Sequence, residues 1–171
     1  LNDLGPFRWE PSTAPAFSLT DRNVKPFTLD QYRGRPVVLI FYLGKGCTHC
    51  MEQLNAFDPL AAEFEKKGIT LLAVSTDTAQ GLRDTFIGYD AKDRHFNFPL
   101  LSDPTLDTFR KYRAYDDFEQ TPLHGTFLID QTGKIRWQEI SHEPFMAPKF
   151  LLEESTRLLA LPDRATARAQ K

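Results

Sequence analysis

The only two cysteines of this 171-residue chain stand together in Cys47-Thr-His-Cys50. Two intervening residues let one sulfur attack a partner while the other turns back to resolve the mixed disulfide, which is the chemistry of thiol exchange. Lys45 and His49 bring positive charge to the motif. A helix starting there would add its dipole and free amides, and both effects favour a thiolate and lower the thiol pKa. A structural bridge closing so small a ring would barely constrain the unfolded chain. Zinc would need two more ligands, and His95, His124 and His142 form no short metal-binding spacing with one another or with a further cysteine. Inert thiols belong in apolar surroundings, whereas Gly44-Lys-Gly46 and Thr48-His49 make this neighbourhood polar and loop-like. The redox use is the one that survives.

The flanking pattern places the motif where a strand hands over to a helix. Val37-Val-Leu-Ile-Phe-Tyr42 is continuous, branched and aromatic, as a strand covered on both faces must be. Beyond the motif, Leu54, Phe57, Ala61 and Phe64 recur at helical spacing from near Thr48 to Gly68, with a kink expected at Asp58-Pro59. A second strand, Ile69 to Ser75, precedes a weaker helix over 78–90 with Leu82 and Phe86 inward. A third strand, Phe98 to Leu101, precedes a helix that Asp103-Pro104 should cap and start, with Leu106, Phe109 and Tyr112 inward. Thr126 to Asp130 and Ile135 to Ile140 read as a hairpin, followed by an amphipathic helix from Phe150 to Leu161. Ahead of the core, Phe17 to Thr20 and Val24 to Leu29 form a small hairpin around Asp21-Arg-Asn23.

Alternation of strand and helix, closed by a hairpin and a last helix, implies a three-layer α/β domain with a mixed central sheet flanked by helices. Its expected span is residues 17–161. Residues 1–16, with Pro6, Pro11 and Pro15, form an extended arm that Trp9 pins, and residues 162–171 form a polar tail with no assigned role.

Composition fits one globular domain, with 41% hydrophobic and 26% charged residues and 14 Phe to fill a core. Twenty-one basic against 23 acidic residues, a net charge of -2, offer no field for a phosphate backbone, so nucleic acid is a poor partner. The longest apolar run, Val37 to Leu43, falls far short of the roughly 18 to 20 residues that cross a bilayer. The chain begins with Leu, so it is read as a processed chain or a domain of a longer protein. Asp116-Asp117 with Glu119 reads as a solvated loop, Trp137 and Tyr112 as packing groups, and His95 and His142 as exposed.

Taken in order along the chain, five pieces resemble the AhpC/TSA group of the thioredoxin-like superfamily, which holds peroxiredoxins and related thiol-disulfide oxidoreductases. They are Ala14-Pro-Ala-Phe17 with Leu19, Tyr32-Arg-Gly-Arg-Pro36, Val37 to Tyr42, Leu100-Leu-Ser-Asp103, and Gly125-Thr-Phe-Leu-Ile-Asp130 followed by Gly133. The resemblance covers roughly residues 15 to 140 and implies a thioredoxin-like fold with the first hairpin as an N-terminal extension. The peroxiredoxin pattern Pro-x-x-x-Thr-x-x-Cys falls on Leu43 to Cys50 and makes Cys50 the peroxide-reacting sulfur and Cys47 the resolving one. The thioredoxin pattern Cys-x-x-Cys makes Cys47 the exposed nucleophile instead. Two residues before Thr126 the family commonly carries a catalytic arginine or a cis-proline; here that residue is His124. The peroxiredoxin Pro, Thr and Arg are thus replaced by Leu43, Cys47 and His124.

The resemblance implies His124 facing the cysteines, where it stabilises a thiolate or moves a proton. Lys45 and Pro122 are expected on the substrate side, with Thr121-Pro122 able to form an unusual turn or a cis bond. His49 before the second cysteine is similar to the dipeptide of strongly oxidising periplasmic enzymes. The leading expectation is a thiol-disulfide oxidoreductase cycling Cys47-Cys50 between disulfide and dithiol, needing no cofactor. Its partners are protein thiols or disulfides and a thiol reductant or oxidant. The alternatives are a thiol peroxidase taking a peroxide at Cys50, a copper chaperone using both thiolates with His49 or His124, and a redox-responsive interaction module. The compartment is not fixed by the sequence, although the maintained pair with its oxidising dipeptide suits an extracytoplasmic space better than a reducing cytosol.

Overall fold

The computed structural model describes residues 11–87 and 96–161, so Trp9, His95, the end of the helix expected over 78–90 and the C-terminal tail lie outside the described residues. Seven strands form one mixed sheet. Inside it lies β3 (Val37–Tyr42), every residue of which is buried. Parallel to it runs β4 (Thr70–Ser75), and parallel to that runs the short β5 (Leu100–Ser102). On the other side of β3 lies antiparallel β8 (His124–Ile129), followed by antiparallel β9 (Ile135–Ser141). The N-terminal hairpin, β1 (Ser18–Thr20) and β2 (Pro26–Thr28), extends the sheet edge next to β5. A separate two-stranded ladder, β6 (Tyr115–Asp116) with β7 (Thr121–Pro122), carries the acidic stretch at its turn.

The pleat of β3 divides the core. Val38, Ile40 and Tyr42 pack with Leu54, Phe57 and Phe64 from helices α1 (Thr48–Phe57) and α2 (Ala61–Lys66) and with Leu151 and Leu152 from α5 (Pro148–Leu159). Val37, Leu39 and Phe41 pack on the opposite face against Phe109, Tyr112 and Phe127. There Phe41 meets Phe109 edge-on at 4.9 Å between ring centroids and Phe127 at 5.5 Å, an arrangement that suits aromatic quadrupoles. Tyr112 donates its hydroxyl to the Pro15 carbonyl and so ties the end of the arm to this face. Thr13 bridges Lys134, which lays the described part of the arm along the β8–β9 turn.

Two elements depart from the sequence expectation. The helix expected to start at Pro104 starts at Asp107, as α4 (Asp107–Lys111). Pro104 and Thr105 form a turn closed by Leu106 N–H to the Asp103 carbonyl, and Leu106 takes the left-handed conformation at φ 62°. Asp103 still caps, but across that turn, its carboxylate accepting from the amides of Thr108 at 2.8 Å and Phe109 at 3.1 Å. The helix after the cysteines is broken rather than kinked, because Asp58–Leu60 form a 3-10 turn between α1 and α2 where Pro59 supplies no amide. The weaker helix is α3 (Ala79–Ile87) within the described residues.

Candidate active site

Strand β3 delivers the chain to Gly44, whose φ of +92° and contact with Asp77 leave no room for a side chain: a Cβ there would lie 2.8 Å from the carboxylate. Asp77 holds this loop from β4's end, accepting from the Lys45 amide at 2.9 Å and from the Ser75 hydroxyl at 3.0 Å. The loop ends at Cys47, the N-cap of α1, in extended conformation. Its sulfur accepts the amide of Cys50 at 3.2 Å, which is the bond a serine or aspartate makes at such a position.

Cys47 and Cys50 are joined as a disulfide, with Cα atoms 5.2 Å apart. The two sulfurs are not equivalent. Cys50 is fully buried, whereas Cys47 is half-buried. The Cys50 sulfur also accepts the amide of Leu43 at 3.3 Å, so the residue at the position of the peroxiredoxin proline acts through its backbone.

His124 begins β8, and because β8 runs antiparallel to β3, with Phe41 opposite Gly125, its start lies beside β3's end and the cysteine loop. Gly125 is required for this approach, since a Cβ would meet the Phe127 ring at 2.8 Å and Ala114 at 3.2 Å. The imidazole is 4% exposed. Its Nε2 lies 3.1 Å from the Cys50 sulfur and 3.9 Å from that of Cys47. Its Nδ1 lies 2.9 Å from the His142 carbonyl, an acceptor only, so Nδ1 carries the proton and neutral Nε2 turns a lone pair toward the sulfurs. Burial lowers the His124 pKa, outweighing the carbonyl bond and the Glu143 charge that raise it. The ring is therefore neutral near pH 7 in the disulfide state.

No motif in the sequence points to what holds this ring. The His142 side chain is exposed, as expected, yet its backbone carbonyl fixes the His124 tautomer. The segment that presents it is pinned to α1 by Gln53, which donates to the Phe145 carbonyl at 3.1 Å, and by Phe145, which packs on Trp137 and Phe57.

Other expected site residues are engaged elsewhere. The Lys45 ammonium pairs with Asp84 at 3.1 Å, which offsets the positive charge it would lend the thiols. His49 is exposed on the first turn of α1 and bonds Glu52 at 3.0 Å rather than a sulfur. Pro122 sits in the β6–β7 ladder opposite Tyr115. All described peptide bonds are trans, so Thr121-Pro122 forms an ordinary ladder and not a cis turn. The acidic stretch serves its own turn, since Asp116 accepts the amides of Phe118 and Glu119.

Among the described residues the donor atoms of Cys47, Cys50 and His124 form a cluster within 4.8 Å of one another. Two sulfurs that exchange one bond, next to a neutral base and two backbone amides, can take up and release two electrons with their protons. No described helix is long and apolar enough to cross a membrane.

Comparison with known proteins agrees with this geometry. The model of the AhpC/TSA family matches residues 12–138. A Mycobacterium tuberculosis (strain H37Rv) protein that carries the name peroxiredoxin is 33% identical over 128 residues, 71% of this chain and 78% of that one. The crystal structure of the peroxidoxin BcpB from the same species superposes with a TM-score of 0.74 at 23% identity, covering 88% of this chain and 97% of that one. A Chlorobium tepidum structure described as a thiol:disulfide interchange protein, DsbE, superposes with a TM-score of 0.67 at 24% identity over the same shares. The chain belongs to the AhpC/TSA family and is a thiol-based oxidoreductase, a disulfide exchanger or peroxidase, of thioredoxin-like fold.

Proposed function

We propose that the protein is a thiol-disulfide oxidoreductase in which Cys47 is the sulfur that partners attack and Cys50 is the sulfur that leaves. The observation that carries this reading is the asymmetry of the disulfide: Cys47 is half-buried and keeps part of its surface in solvent, while Cys50 is fully buried against the Leu43 amide and His124 Nε2. An incoming thiolate attacks the Cys47 sulfur, the Cys47–Cys50 bond breaks, and its electron pair departs on Cys50. There the Leu43 amide stabilises the thiolate, and a proton from water is shared with His124. A second thiol of the partner then displaces Cys47 and leaves the dithiol here and a disulfide on the partner. In the opposite direction Cys47 attacks a substrate disulfide, and His124 Nε2 takes the Cys50 proton so that Cys50 can attack Cys47 and release the substrate. The partners are accordingly protein thiols and disulfides.

The family's name-bearing relatives support a second reading, in which a peroxide oxidises Cys50 to a sulfenic acid with release of water or alcohol. Cys47 then condenses with it to form the same disulfide and a further water. Both readings share the reductive half-reaction; they differ in the oxidant and in which sulfur meets it first.

Stopped-flow oxidation of the reduced protein by hydrogen peroxide and by a mixed-disulfide peptide separates them. The proposed exchange predicts peroxide consumption no faster than a free thiol, rapid peptide-disulfide reduction, and a trapped mixed disulfide on Cys47 in Cys50→Ser. Peroxide consumption orders of magnitude above a free thiolate, retained for one turnover in Cys47→Ser and lost in Cys50→Ser, would make peroxide the substrate instead.

A further inference from the structure

We infer that the reduced protein binds one Cu(I) ion through Cys47 Sγ, Cys50 Sγ and His124 Nε2. The site uses the same cysteines as the proposed exchange but does not depend on it. Two soft thiolates with one imidazole form a donor set that favours Cu(I), which is content with two or three ligands, whereas structural zinc is held by four. Among the described residues this cluster has three donors; His49, the other imidazole near the motif, is held by Glu52.

Two features of the geometry prepare the site for a metal. The imidazole is already aimed, because the His142 carbonyl takes the Nδ1 proton and leaves Nε2 as the free donor, the arrangement that orients metal-bound histidines. The spacing is also near what a planar three-coordinate ion needs. Metal–donor bonds of about 2.0–2.3 Å at 120° put donors about 3.7 Å apart, and Nε2 already lies 3.1 Å and 3.9 Å from the two sulfurs. Once the disulfide is reduced the sulfurs are no longer held at bonding distance, and half-buried Cys47 is less enclosed than fully buried Cys50, so it is the sulfur with room to adjust around an ion.

Binding balances as dithiol plus Cu(I) giving a dithiolate–imidazole complex and two protons, with no change of oxidation state. The count is two whether the second proton starts on Cys50 or on His124. Because the ion occupies both sulfurs, the loaded protein can neither accept nor donate a disulfide, and copper and exchange compete for one site.

Anaerobic titration of the reduced, full-length protein with the Cu(I)–acetonitrile complex, against bathocuproine disulfonate as a coloured competitor, tests this. The expected result is one equivalent bound, about two protons released into a weak buffer near pH 6.5, and protection of both cysteines from iodoacetamide. Copper-edge X-ray absorption of the wild-type complex should show two sulfurs and one imidazole at bonding distance, and His124→Ala should weaken binding at least tenfold. Two sulfurs without imidazole, unchanged affinity in His124→Ala, stronger competition by Zn(II), or no binding would each overturn the inference. The peptide-disulfide exchange rate of the same metal-free preparation shows whether the exchange reading stands independently of the copper result.

Discussion

Two buried polar side chains mark opposite ends of the β8 region, and they are treated in opposite ways. Asp130, just past the strand, is 4% exposed and completely served by its own turn. Its carboxylate accepts from the Thr132 amide and hydroxyl, the Lys134 amide and the Arg136 guanidinium. His124, at the strand's start, is equally buried but has one nitrogen bonded to a carbonyl and the other left to the two sulfurs. Burial pushes the Asp130 pKa up, yet those donors outweigh it and hold the carboxyl below its ordinary value. At His124 burial wins and the ring stays neutral. A buried group whose partners all come from its own hairpin serves the fold; one with an atom facing a redox pair is, under the proposed exchange, the group that handles the proton.

Substitutions sharpen that contrast. The largest effect belongs to the sulfurs: Cys50→Ser should stop disulfide cycling completely while leaving the thermal transition cooperative, read by peptide-disulfide turnover and calorimetry. Asp130→Ala should cost about 3 kcal/mol of stability, because the Arg136 guanidinium loses its buried partner, with the exchange rate of the folded protein unchanged. Denaturant unfolding and stopped-flow kinetics together read both halves. His124→Gln should do the reverse, keeping stability near wild type at pH 7 and slowing resolution of the mixed disulfide about 100-fold.

The pH dependence of stability follows from the same difference. The folded-state pKa of His124 is lowered, so on acidification the unfolded chain takes up its proton first. Wild type should lose stability relative to His124→Gln as pH falls through about 6.5 and below, until the folded ring itself protonates. The Asp130 carboxyl, also lowered in the fold, contributes stability that is present above the ordinary carboxylate range and is lost in more acid solution. Denaturation curves from about pH 8 to about pH 2 separate the two steps. The smallest effect is expected at Lys45→Ala, where an exposed ion pair with Asp84 is all that is removed, and exchange should stay within about threefold of wild type.

What the sequence made legible was what depends on local pattern. The covered strand Val37–Tyr42, the helix at Thr48 and the Cys47–Cys50 motif between them follow from apolar periodicity and spacing. His124 was reachable only through the register of a family resemblance, because 74 residues separate it from Cys50. The carbonyl of His142 was not reachable at all, since every residue carries one and only tertiary packing, here Phe145 on Trp137 and α1, selects it. The same holds for Lys45 and His49, which pair with Asp84 and Glu52 from positions that spacing to the thiols does not reveal. Leu106 in a left-handed turn shows the local limit: Pro104 sets one backbone angle but does not oblige the next residues to continue as helix.

Under the proposed exchange, His124 Nε2 and the Cys50 sulfur share in the dithiol form a proton that the disulfide form lacks. Nitrogen-15 NMR of the imidazoles, followed from pH 5 to pH 9 in the disulfide and dithiol forms, measures it directly. The account predicts Nδ1 protonated and Nε2 bare in the disulfide form, with titration below the ordinary histidine value. In the dithiol form titration should move upward and be coupled to Cys50, because a thiolate beside Nε2 favours the imidazolium. Identical His124 titrations in the two redox states, or a proton resident on Nε2 of the disulfide form, would contradict it.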